Sequence, residues 1–151
     1  MKHRILFLLL IVTISTLSVC LPANAESIPD YQKVDLDLSK MSGTIVYSQI
    51  YNIMYTPDDY IGKIIRLSGY YDVFEEPDTG NVYFACIVPD ATACCAQGIE
   101  FVRADAAQYP QDYPEPGTDI QVTGRLEPYT DNGIDYLHLV DSVLVWDSER
   151  D

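Results

Sequence analysis

Three cysteines, Cys86, Cys94 and Cys95, stand within ten positions of one another and offer soft sulfur donors. Such donors favour zinc or Cu(I) over calcium or magnesium. Three thiolates need a fourth donor to close a tetrahedral zinc site. His138, the one histidine beyond the first few residues, is the first candidate, and Asp90, Glu100 and Asp141 are the oxygen alternatives. Neighbouring Cα atoms are ~3.8 Å apart, below the usual ~4.4–6.8 Å of a disulfide, so a Cys94–Cys95 bridge would be strained. Cys86 lies in an apolar strand segment just before the loop that holds the pair. The metal reading requires this loop to fold back and bring the three sulfurs to one point.

Two other uses of the same thiols stand beside it. A disulfide from Cys86 to Cys94 or Cys95 would staple the loop and contribute roughly 2–3 kcal/mol. A thiol–disulfide redox role would make Cys94 or Cys95 the attacking group. That role lacks the usual Cys-x-x-Cys spacing and has little positive charge nearby to lower a thiol pKa. His138 by itself reads as a packed strand residue.

The segment that carries the cysteines runs Phe84-Ala85-Cys86-Ile87-Val88-Pro89-Asp90 and on through Cys94-Cys95 to Phe101. With Tyr60-Ile61-Gly62-Lys63 upstream, it resembles a group of small exported or membrane-associated bacterial proteins with an OB-like fold. These carry a Cys-Cys pair in a loop after an apolar strand, and the resemblance covers roughly residues 60–145. It implies an OB-like domain and, for some members, a connection with metal handling.

Compartment follows from the start of the chain. Lys2 and Arg4 precede an apolar run from Ile5 to Val19, and Ala23-Asn24-Ala25 forms a small-residue cleavage pattern. Residues 1–25 therefore read as a signal peptide, and the mature protein as secreted or otherwise extracytoplasmic. Leu17-Ser18-Val19-Cys20 resembles a lipobox with Val19 at its small-residue position, so a membrane attachment would require lipidation at Cys20. Export leaves an odd number of thiols, Cys86, Cys94 and Cys95, in the mature chain. A fully paired monomer is thereby excluded.

The elements that must position these residues are legible from periodicity. Residues 26–43 form an N-terminal arm with a short alternation at Val34–Leu38, and residues 44–151 form the domain with its leading helix. Val46, Ile50 and Ile53 recur at helical spacing across 44–55 before Pro57 stops the run. Period-two alternation then marks strands over about 64–74, 82–88, 98–102, 119–126 and 135–146. Gly80-Asn81 and Asn132-Gly133 supply hairpin turns. A single helical turn is expected over 104–109. The class is all-β with one short helix, arranged as a five-stranded OB-like barrel or, failing closure, an open β-sandwich.

Charge excludes one large class of function. Nine Lys and Arg against 23 Asp and Glu give a net charge of −14 over 151 residues. Such a surface repels phosphate backbones, so nucleic acid is not the partner. The twelve tyrosines lack the basic groove that base-stacking surfaces use, and read as core walls and strand-face packing. Asp58-Asp59 and Glu75-Glu76-Pro77-Asp78 match no EF-hand pattern and read as solvated acidic surface. There is no Gly-x-Ser-x-Gly, His-Glu-x-x-His or phosphate-binding glycine loop. The expectation is a non-enzymatic binding domain whose partner is a metal ion, with zinc as the leading candidate, or an envelope protein.

Overall fold

Alternating apolar side chains drive six segments of the described residues into strands, and those strands find each other around a single core. The computed structural model describes residues 28–92 and 94–147. The leader expected over 1–25, with Cys20, lies outside them.

The N-terminal arm is tied down by a two-residue strand, β1 (Leu36–Asp37), parallel to the start of β2 (Ile64–Glu75), with Leu36 opposite Ile65. Leu38, the next residue, is fully buried. Helix α1 (Gly43–Tyr55) follows, and Val46, Ile50 and Ile53 form its buried stripe. Spacings of four and three put them on one face, and that face packs on strands β3 (Val82–Pro89) and β4 (Ala96–Arg103). A 3-10 turn at Pro57–Asp59 ends the helical segment.

Strand β2 is long enough to serve two neighbours. Ile64–Tyr70 pair with β5 (Asp119–Asp131), and Tyr70–Glu75 pair with β3. Gly69 sits where the strand changes partner. A Cβ there would lie 2.3 Å from the Ile87 carbonyl oxygen and 2.9 Å from Cys86 Sγ, so only glycine fits. β3 pairs antiparallel with β4, β4 runs parallel to β6 (Ile134–Trp146), and β6 pairs antiparallel with β5. Those pairings, with β2–β5, form a ring of hydrogen bonds through five strands. The sheet closes on itself, which sets aside the open sandwich. The class is all-β with one short helix.

Inside the ring lie Ile65, Leu67, Tyr71, Cys86, Ile99, Phe101, Val122, Leu126 and Leu139, each nearly or fully inaccessible. The β5–β6 hairpin turns on Asn132 (φ 50°) and Gly133 (φ 80°), as the Asn-Gly pair requires.

Two expectations need correction. No helical turn forms over 104–109. Arg103 instead grips the Asp105 carboxylate at 2.7 and 2.5 Å, and Asp112 accepts the Gln108 N–H at 2.8 Å, which holds the segment as an irregular loop. Strand β5 also runs past Leu126 to Asp131, straight through Pro128. Leu126 still exchanges backbone bonds with Gly62 and Lys63, but beyond it β5 pairs with β6 alone, so proline's missing N–H leaves no second neighbour unpaired.

Candidate metal centre in the β3–β4 loop

The β3–β4 ladder ends at Pro89 opposite Ala96, and the connection between them carries Asp90, Thr92, Cys94 and Cys95. Its mouth is closed by a backbone bond from Asp90 N–H to the Cys95 carbonyl at 2.8 Å. The Asp90 carboxylate organises the interior. It accepts the backbone N–H of Thr92 at 3.0 Å and of Cys94 at 3.1 Å, and the Thr92 hydroxyl at 3.0 Å. Asparaginyl and aspartyl side chains commonly build turns in this way.

The same carboxylate faces sulfur. Cys94 Sγ lies 3.4 Å from Asp90 Oδ2 and 3.7 Å from Cys95 Sγ. Ligand atoms of Asp90, Cys94 and Cys95 all lie within 4.8 Å of one another. Both cysteines are exposed, and Asp90 is half-buried. Adjacent residues on a strand point to opposite faces, but the turn lets these two thiols converge.

Partial desolvation pushes the Asp90 carboxyl up, but hydrogen bonds from Thr92 and Cys94 outweigh it, so its pKa falls below the ordinary value. The Cys95 thiol moves the other way, raised first by its hydrogen bond with Cys94, then by burial and the Asp90 charge. At neutral pH the loop therefore holds a carboxylate beside a protonated Cys95. A cation entering the cluster would displace that proton.

Cys86 does not join this group. Its position opposite Ile99 is four residues back from Asp90 along β3. At ~3.3 Å per residue, that is about 13 Å of strand. Its side chain is fully buried in the core, and burial pushes its thiol up to about 12. The convergence of three sulfurs expected from sequence is thus corrected to two sulfurs and one carboxylate. The staple from Cys86 to Cys94 or Cys95 meets the same obstacle, because register separates the residues far beyond disulfide reach. All three thiols are free.

His138 is also placed elsewhere. It sits on β6 opposite Glu100, which lies four residues beyond Ala96 along β4 and so well away from the loop. Its ring stacks on Tyr129 with centroids 4.5 Å apart, and burial lowers its pKa despite Glu100. Of the oxygen alternatives, Asp90 is in the cluster. Glu100 instead accepts the Tyr129 hydroxyl, and Asp141 is paired with Arg125 at 2.6 Å. The sequence offered Asp90 as a ligand, but no signal in it marked Thr92 as the residue that orients the carboxylate.

No family model matches the chain, and neither curated proteins nor solved structures give a significant match. Function must therefore be argued from the chemistry of the loop.

Proposed function

We propose that this protein is an exported, non-enzymatic binding domain that takes up a thiophilic metal ion, zinc foremost, through Asp90, Cys94 and Cys95. One observation carries the reading. Metal–sulfur bonds of ~2.3 Å and a metal–oxygen bond of ~2.0–2.2 Å at tetrahedral angles place sulfurs about 3.8 Å apart and sulfur and oxygen about 3.5 Å apart. The loop's own separations are 3.7 and 3.4 Å. Two of the three donor pairs thus stand at the spacing such an ion needs, and the third, Asp90 with Cys95, lies within 4.8 Å. A bound ion would supply Lewis acidity and a coordination position beyond the three donors of this chain.

The residues divide the work. Cys94 and Cys95 provide sulfur, Asp90 provides charge and oxygen, and Thr92 fixes the carboxylate as outer-shell partners do. Exposure of both thiols suits an ion that is exchanged or completed by a partner's donor. Cys86 takes no part.

Competitive zinc titration tests this. Wild-type protein is expected to bind one equivalent, Cys86→Ala to retain it, and Cys94→Ser to lose affinity by about a hundredfold or more. Because the Cys95 thiol must release its proton, affinity should rise with pH through neutrality and level off once that thiol ionises unaided. Undiminished zinc binding by Cys94→Ser would refute the assignment.

A further inference from the structure

A second site is built where the β5–β6 hairpin faces the end of α1. A cleft of about 630 Å³ lies there, lined by Met54, Asp58, Ile61, Tyr129, Asp135 and Tyr136 among others. An adjoining recess of about 200 Å³ shares Glu100, Tyr129 and Tyr136 and adds Glu76, Tyr83 and Asp131. Tyr136 and Tyr129, shared by cleft and recess, stack with centroids 5.4 Å apart, and Tyr129 stacks in turn at 4.5 Å on His138, which lines a neighbouring pocket.

The hydrogen bonding of this wall decides what it can recognise. The Tyr129 hydroxyl donates to Glu100, the Tyr83 hydroxyl to Asp131 at 3.1 Å, and the Thr130 hydroxyl to Asp135 at 2.7 Å. These donors are turned onto the cleft's own carboxylates. Apart from the Tyr136 hydroxyl, the side chains of the wall offer a ligand chiefly acceptor oxygen, negative charge and aromatic faces. Among the described residues lining the cleft and the recess, none is Lys or Arg. Ring faces and unneutralised carboxylates together attract an organic cation, whereas an anion is repelled and a neutral sugar finds few free donors.

The cleft also sets the form of that cation. Met54 and Ile61 give it an exposed apolar floor. Arginine and lysine present an aliphatic stem below a charged head, which fits an apolar floor with an acidic, aromatic wall. We propose that this cleft binds arginine or lysine side chains of a basic peptide segment on a partner protein, independently of the metal loop.

Calorimetric titration of the full chain with a short peptide carrying two arginines tests the proposal, beside the same peptide with citrulline and beside spermidine. Saturable binding of the arginine peptide is expected, at least about tenfold weaker with citrulline. Tyr136→Ala should weaken it about fivefold to tenfold with an unchanged unfolding midpoint. Should that variant fail to fold, Asp58→Asn, at an exposed position, must show a loss in the same direction. Equal affinity for the citrulline peptide, binding of spermidine but not of the peptide, or wild-type affinity in folded Tyr136→Ala or Asp58→Asn would each overturn it.

Discussion

Two ends of one β-hairpin arm hold the same residue type and put it to opposite uses. Cys86, in the body of β3, is packed beneath Gly69 with its thiol forced toward the neutral form. Cys94 and Cys95, at the tip, are exposed and drawn toward a carboxylate that two neighbouring residues hold in place. Burial makes the first a small hydrophobe, and the turn makes the other two ligands. Cysteine chemistry here is a property of position along the ladder rather than of residue type.

Alkylation of the native, metal-free protein should show the contrast at its largest. Cys94 and Cys95 are expected to react on the order of a thousandfold faster than Cys86, which is reached only through opening of the core. Comparable rates at all three, followed by peptide mass spectrometry, would erase the distinction between body and tip.

The next test breaks the body alone. Gly69→Ala drives a methyl into the Ile87 carbonyl and Cys86 Sγ, and should cost about 3 kcal/mol or more in denaturant unfolding. The tip does not share that contact, so the folded fraction of this variant should still bind zinc stoichiometrically.

A smaller effect sharpens the account of the tip. Thr92→Val removes the hydroxyl donor to Asp90 while keeping the backbone bonds. Zinc affinity should fall about tenfold with little change in unfolding midpoint. A loss of stability with no loss of affinity would make Thr92 a turn former only.

The sequence made the strands readable because their side-chain period is strict. The long alternation through Ile65, Leu67 and Tyr71 and the Asn132-Gly133 turn correspond to β2 and to the β5–β6 hairpin. The helix was readable for the same reason, from Val46, Ile50 and Ile53. Pro128 hid the end of β5, since its tolerance depends on which neighbour has already left the strand. The candidate site was half readable. Adjacent cysteines beside Asp90 announce donors, but the register that holds Cys86 opposite Ile99 and His138 opposite Glu100 is a long-range outcome. Local spacing alone therefore allowed a convergence that the ladder forbids.

X-ray absorption at the zinc edge of the zinc-loaded full chain tests the central claim most directly, because it counts sulfur neighbours of the ion. Two sulfurs at ~2.3 Å with the remaining donors oxygen or nitrogen at ~2.0–2.2 Å are expected. Three sulfurs would bring Cys86 back to the ion, and none would remove the loop from metal binding altogether.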